Sequence, residues 1–136
     1  MMYETYNKPS DISYDRLDRA IAHACEYLDL DDIFIEITFE SLGVTAGHCD
    51  IVDGVAEISL NKRVRDKTLE LTIFHELVHI KQILDGKLVI GEGLTPSKWC
   101  DIIYTCSYDK LPWEIEAYRL EKEMMECFNG LNTVSG

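Results

Sequence analysis

The sequence predicts an α+β domain in which a small, mostly antiparallel sheet packs against three helices. Two segments carry apolar residues at helical spacing, and a third begins at a proline, whereas the chain between the first two alternates in the way strands do. A chain of 136 residues is the usual size of one domain and can bury a core without disulfides. We therefore expect residues 1–136 to form a single domain.

The first helix is expected after a loose lead-in, because residues 1–10 carry no periodic pattern. Asp11 or Ser13 can cap this helix, which is predicted to run to about Leu30. Its apolar residues recur at helical spacing: Leu17, Ala20, Ile21, Ala24, Tyr27 and Leu28.

Three strands are predicted next. Every second residue from Ile33 to Phe39 is an apolar residue that can face a core. A second strand spans about Val44 to Ile51, and Asp53-Gly54 is a strong signal for a hairpin turn. The third strand is Ala56–Asn61, in which alternate residues are again apolar.

A buried helix is predicted from about Asp66 to Leu84, since apolar residues occupy most of its faces. Asp85-Gly86 ends it. A loop with Gly91, Gly93 and Pro96 follows, and Trp99 to Tyr104 is predicted to form one short strand. Pro112 suits the first position of a last helix that reaches about Phe128, with residues 129–136 frayed.

Composition excludes several functional classes. The net charge of -12 argues against direct binding of nucleic acid, because the short basic cluster at residues 62–67 is diluted by acidic neighbours. No apolar run approaches the roughly 20 residues of a membrane span. Five cysteines without a C-x-x-C pair, and an N-terminus without an apolar leader, predict a reducing cytoplasm, of the protein's own cell or of an infected host.

The second helix contains the sequence H-E-x-x-H at His75, Glu76 and His79. Residues four apart lie on one face of a helix, so both imidazoles can reach one zinc ion at about 2.0–2.1 Å. Glu76 points to one side of that ion, which suits a general base acting on a metal-bound water. Polar residues inside a buried helix also need partners, and a metal supplies one.

A catalytic zinc site needs a third protein ligand. A third histidine at the spacing of the all-histidine class is absent, since position 82 is Gln and position 85 is Asp. The segment PWEIEAYRLEKE of the last helix offers Glu114 and Glu116. These residues are two apart and cannot both face the same way.

The combination of HELVHIKQ, a Trp-containing loop and PWEIEAY resembles the zincin metallopeptidases whose third ligand is a glutamate on a following helix. Within them it is most similar to small SprT-like and phage-encoded metallopeptidase domains. In many such families the ligand stands in an E-x-x-A pattern, which implies Glu114 as the third ligand and Glu116 as the alternative. Relatives often have Asp or Asn where this chain has Tyr118, so the resemblance leaves the hydrogen-bond partner of the histidines open.

The resemblance implies a minimal zincin-like domain that hydrolyses peptide bonds with Zn²⁺ as cofactor and Glu76 as base. A peptide or protein substrate would pair with strand 56–61, taken as an edge strand by resemblance. The resemblance to SprT-like domains also suggests a protease associated with nucleic acid. The net charge of -12 argues against binding of nucleic acid by this chain itself. The alternative is a zinc-binding interaction or assembly module without turnover. A fourth metal position closed by a side chain such as Tyr108 or Cys106 would favour this alternative.

A donor to the developing oxyanion is also expected beside the metal. Tyr104, Tyr108 and Tyr118 can supply one, and Tyr108 is the choice because it lies just before the glutamate helix. His48-Cys49 is a second His/Cys pair that would need Cys100 or Cys106 to build another metal site.

Overall fold

In the computed structural model, which describes residues 2–92 and 94–134, a four-stranded sheet carries two helices on one face and a third helix packs against them. The architecture is therefore α+β, as the sequence predicts. The strands of the main sheet are β1 (Met2–Tyr6), β2 (Phe34–Glu40), β3 (Gly47–Val52) and β4 (Val55–Asn61). The helices are α1 (Tyr14–Tyr27), α2 (Lys67–Leu84) and α3 (Pro112–Val134).

The boundaries of the predicted elements shift by a few residues. Ser13 caps α1, accepting a hydrogen bond from the backbone N–H of Arg16 at 3.1 Å, and the helix ends three residues before the predicted Leu30. Asp53 and Gly54 both have positive φ, which confirms the predicted hairpin turn between β3 and β4. The last helix continues six residues beyond Phe128, and Ser135 and Gly136 lie outside the described residues.

The expectation of a loose segment at residues 1–10 is wrong, because Met2–Tyr6 forms β1 and pairs in parallel with β2. Its residues are alternately exposed and half-buried, and Tyr3 packs against the core. A short strand that buries only half of one face carries little periodic signal in its sequence. Pairing with β2, whose pattern is strong, supplies the hydrogen bonds that hold β1.

The main sheet is also not mostly antiparallel. Its order is β1-β2-β4-β3, and both β1 with β2 and β2 with β4 are parallel, while only β3 with β4 is antiparallel. The crossover through α1 makes the first pair parallel. β4 pairs with the other side of β2, and β3, which precedes β4 in the chain, lies on the outer side of β4.

This order corrects the expectation that strand 56–61 is an edge strand. β4 lies between β2 and β3, and both of its sides are hydrogen-bonded. It therefore has no free edge for a peptide. The edge strands of the main sheet are β1 and β3, and β3 is the one beside α2.

The core lies between one face of the sheet and the helices. Alternate residues of β2 and β4 are fully buried there, together with the inner faces of α1 and α2. On α2 the buried residues occupy nearly the whole circumference, because the sheet, α1 and α3 surround it: Leu69, Ile73, Phe74, Leu77, Val78 and Ile80. This packing fixes the rotation of α2, and with it the direction of any polar side chain that the helix carries.

A buried asparagine holds the loop between β2 and β3. The Nδ2 of Asn61 donates to the backbone oxygens of Gly43 at 2.9 Å and of Thr45 at 3.0 Å, and its Oδ1 accepts from the N–H of Arg63. The loop is thereby fixed to the end of β4, from which the chain leads into α2.

After α2 the chain forms a second, small antiparallel sheet from β5 (Leu88–Val89), β6 (Lys98–Trp99) and β7 (Ile102–Ile103). The single strand predicted over residues 99–104 is thus two strands. Cys100 and Asp101, both with positive φ, form the turn between them. The predicted loop contains Gly91, where a Cβ would lie 1.9 Å from the oxygen of Thr95, and Pro96; Gly93 lies outside the described residues. In the described part of the chain, no helix is long and apolar enough to cross a membrane.

Candidate metal centre

Two histidines on α2 face the same cleft. His75 and His79 are one helical turn apart, and their ring centroids are 4.7 Å apart with the planes nearly perpendicular. The Nε2 atoms are separated by 3.1 Å. Because apolar packing fixes α2 on its other faces, these two rings have little freedom to turn away from each other.

Glu114, in the first turn of α3, completes the group. Its Oε1 lies 3.0 Å from the Nε2 of His75 and 3.2 Å from the Nε2 of His79. The other expected candidate, Glu116, accepts a hydrogen bond from Gln82 at 3.1 Å and is not part of this group. Helix α3 therefore presents one of its two glutamates to the histidines and turns the other toward Gln82.

The three residues fit a zinc ion. Ligands that each lie about 2.0–2.1 Å from a tetrahedral zinc are roughly 3.3–3.4 Å from one another. The spacings of 3.0–3.2 Å between the two imidazole nitrogens and the carboxylate oxygen are close to this value. Two histidines and one glutamate are also a donor set of catalytic zinc sites. Among the residues that the structure describes, this is the only group of three or more His, Cys, Asp or Glu side chains that could hold a metal ion.

Each of the three side chains has a further partner. His79 Nδ1 lies 2.7 Å from Gln82 Oε1, and His75 Nδ1 lies 3.5 Å from Glu121 Oε1. The hydroxyl of Tyr108 donates to Glu114 Oε1 at 2.9 Å. Contacts of this kind orient metal ligands and raise the basicity of the imidazoles.

His75, His79 and Glu114 are called the triad below, and within it Glu114 and His75 stabilise each other's charged forms. Burial by itself lowers the pKa of His75, but hydrogen bonds to Glu114 and Glu121 outweigh burial and raise this pKa to about 9. Burial raises the pKa of Glu114, whereas hydrogen bonds from His75 and His79 lower it, to about 2. An ion bound by these residues would therefore have to compete with a proton on His75.

Glu76 lies in the same cleft as the triad. It is 5% exposed, and burial raises the pKa of its carboxyl, while the charges of His79 and His75 and a hydrogen bond from the Cys49 thiol oppose that rise. A carboxylate with a raised pKa is a better proton acceptor at neutral pH than one in water. The position of Glu76 beside the histidines is the one that the H-E-x-x-H spacing predicts.

A cavity of about 650 Å³ opens onto these residues. The lining includes the loop and edge strand at residues 44–49 and the apolar side chains of Leu88, Ile90 and Trp113. His75, Glu76, His79 and Glu114 line the same cavity. None of the described residues that line the cavity is Lys or Arg, so the cleft is acidic or neutral apart from its histidines.

Of the three tyrosines considered as oxyanion donors, Tyr108 and Tyr118 line the cavity. Tyr118 also packs its ring against His75, with 4.7 Å between centroids. Tyr104 instead stacks edge-on against Trp113 and is not among the lining residues. The choice of Tyr108 remains a prediction, and the hydrogen bond that its hydroxyl donates goes to Glu114.

Sequence reasoning missed Gln82, Glu121 and Cys49 as parts of the site. Gln82 follows His79 by three residues on α2, and Glu121 follows Glu114 by seven on α3, so helical spacing places each on the face of the neighbouring ligand. Cys49 faces α2 from β3 and contacts Glu76. It therefore belongs to the main cleft, whereas the possible second metal site of His48 and Cys49 with Cys100 or Cys106 has no such cluster among the described residues.

Comparison with known proteins yields no relative. No protein-family model matches the chain, and no curated protein or solved structure is significantly similar to it. The H-E-x-x-H motif and the geometry of this cleft are therefore the features that indicate a function.

Proposed function

We propose that this protein is a zinc-dependent metallopeptidase with a zincin-like fold. The observation that carries the proposal is the convergence of His75, His79 and Glu114 in a cavity that also contains Glu76. A purely structural zinc site needs no carboxylate beside the ligands, whereas a hydrolase needs a base there.

In the proposed reaction His75, His79 and Glu114 hold the ion. When bound, zinc supplies Lewis acidity and lowers the pKa of a coordinated water to about 7. Glu76 accepts the proton of the attacking water and passes it to the nitrogen of the leaving amine. Tyr118 and Tyr108 line the cavity and are the candidate donors to the carbonyl oxygen of the scissile bond, although Tyr108 must first release its hydrogen bond to Glu114. The burial of Glu76 limits hydration of its carboxylate.

The substrate in this proposal is an extended peptide that pairs with β3 in place of strand 56–61. This choice is supported by the free edge of β3 and by the position of His48 and Cys49 on the wall of the cavity. Backbone hydrogen bonds to an edge strand bind peptides without regard to side chain. The acidic cleft adds a preference against acidic residues near the cleaved bond.

A fourth metal position closed by a protein side chain would favour the alternative, a zinc-binding interaction or assembly module without turnover. Cys106 is exposed and does not line the cavity. The Tyr108 hydroxyl lies on Glu114, and the side of the triad toward the cavity is open. Access of a water and of a peptide to the metal is thus compatible with the geometry, which favours the enzyme.

A Glu76→Gln variant tests the proposal. It keeps the shape of the side chain and removes the base, so we expect bound zinc to remain at one ion per chain while peptide hydrolysis falls at least about 100-fold. Cleavage of a mixed peptide library is followed by mass spectrometry, and zinc by elemental analysis. The matched control is Glu57→Gln, on the exposed face of β4, which should leave both quantities unchanged. Undiminished cleavage by Glu76→Gln would rule out the mechanism.

A further inference from the structure

Gln82 is a buried polar side chain whose contacts connect the two helices that carry the metal ligands. It is 2% exposed and lies on α2, three residues after His79. A primary amide in such a place loses water at both ends, so each end must find partners in the protein. Both ends do, and the partners lie on two different helices.

The contacts of the amide nitrogen fix the orientation of the group. Its Nε2 donates to the backbone oxygen of Trp113 at 3.0 Å and to Glu116 Oε1 at 3.1 Å. A backbone carbonyl can only accept, so the nitrogen must face α3 and the oxygen must face α2. Gln82 thereby contacts the two residues that lie one before and two after Glu114.

The amide oxygen in turn fixes the tautomer of His79. Gln82 Oε1 lies 2.7 Å from His79 Nδ1 and accepts from it, so the ring proton of neutral His79 sits on Nδ1. In this neutral form, which is the one that can bind a metal, the lone pair is on Nε2, and Nε2 lies 3.1 Å from His75 Nε2 and 3.2 Å from Glu114 Oε1. The other tautomer would turn an N–H into the position of the metal.

We propose that Gln82 is the positioning residue of the metal centre, holding His79 in its metal-binding tautomer and docking the first turn of α3 so that Glu114 meets the histidines. This inference rests on the proposed zinc site and deepens it. In this proposal a neutral amide orients His79 through its Nδ1. The corresponding Nδ1 of His75 lies beside a carboxylate, that of Glu121. It also explains how ligands 35 residues apart in sequence are kept in one geometry before the ion arrives.

The first test is the zinc dissociation constant, measured by competition with a chromophoric chelator. Gln82→Met has a similar shape and no hydrogen bonds, and we expect it to bind zinc about 10–100-fold more weakly than the wild type. The Co²⁺ form should show altered visible absorption bands, which a loss of stability alone would not produce. Lys81→Met, a partly exposed neighbour on the same helix, is the control and should bind as the wild type does.

A charge exchange provides a second test that does not depend on the folding of the methionine variant. Gln82→Glu keeps the acceptor for His79, but its new carboxylate faces the carboxylate of Glu116. We therefore expect Gln82→Glu to bind zinc more weakly than the double variant Gln82→Glu/Glu116→Gln. In the double variant the amide at position 116 can donate to the carboxylate at position 82, and affinity should rise at least about fivefold over the single variant.

The outcomes separate the two claims. Equal zinc affinity in Gln82→Met and the wild type, or in the single and double exchange variants, would overturn the role of Gln82 while leaving the metal centre in place. A wild-type protein that binds no zinc would instead overturn the metal centre itself.

Discussion

At the level of single residues, His75 is the place where a proton would compete with the proposed zinc ion. In the metal-free protein the pKa of His75 is raised to about 9, because its hydrogen bonds to Glu114 and Glu121 outweigh the effect of burial. Below that pH the ring carries an extra proton, which must leave before Nε2 can bind an ion. Glu114, with its pKa near 2, stays ionised throughout and releases none.

We therefore expect zinc affinity to rise with pH up to about pH 9 and then to level off. For one competing proton the apparent association constant grows about tenfold per pH unit below the pKa. Calorimetric titrations at pH 7 in two buffers of different ionisation enthalpy should report the release of at least one proton per zinc. In Glu121→Gln, which removes one charged partner, the plateau should begin at lower pH. An affinity that is the same at pH 6.5 and pH 8.5 would contradict this account of His75.

Residue spacing predicts part of this site and cannot predict the rest. The spacing of His75, Glu76 and His79 implies a shared face of one helix, and the structure brings them to one cleft. Helical geometry predicts only that Glu114 and Glu116 cannot both be ligands. The preference for Glu114 comes from the resemblance to zincins. The contacts of Gln82 and Glu121 depend on how α3 lies across α2, and no local pattern encodes that crossing.

At the scale of elements, a buried ion pair joins α1 to the start of α2. The carboxylate of Glu70 is 8% exposed and bonds to the guanidinium of Arg16 through both of its oxygens. Arg16 also donates to the backbone oxygen of Asp66, the residue before α2. The pair thus holds the first turn of the helix that carries the histidines.

Removing only the cation should destabilise the fold. Arg16→Met leaves the buried Glu70 carboxylate without its partner, and we expect a loss of about 2 kcal/mol in the free energy of unfolding, less than for a fully buried pair because Arg16 is partly exposed. Arg16→Met/Glu70→Leu should recover most of the loss, since neither charge remains. Urea denaturation of the metal-free variants measures both. A double variant as unstable as Arg16→Met would show that the pair acts in some other way.

The elements that the sequence predicts well are those with a strong period. α1, α2, β2 and β4 bury one face or all faces, so their apolar residues are dense and regular. β1 buries half of one face, and β6 and β7 are two residues each, so the periodic signal is weak in all three. The turn at Cys100 and Asp101 contains no glycine, so the sequence carries no clear signal for it.

At the scale of the whole molecule, the order of the strands decides which edge faces the cleft. Local pattern predicts strands but not their neighbours, and the edge position that the resemblance to zincins implies for β4 is occupied by β3. The parallel pairing of β1 with β2 and of β2 with β4 depends on contacts across the chain, which spacing within a strand does not encode. In the proposed function, the strand edge available to a peptide beside the metal-binding residues is therefore that of residues 47–52.

The proposed zinc ion is held by His75, His79 and Glu114 together, and the zinc content of three purified proteins after dialysis against buffered zinc tests this. We expect about one zinc per chain in the wild type and in Glu116→Gln, which keeps the oxygen that Gln82 contacts, and much less in Glu114→Gln. Zinc retained in Glu114→Gln but lost from Glu116→Gln, or absent from the wild type, would contradict the account.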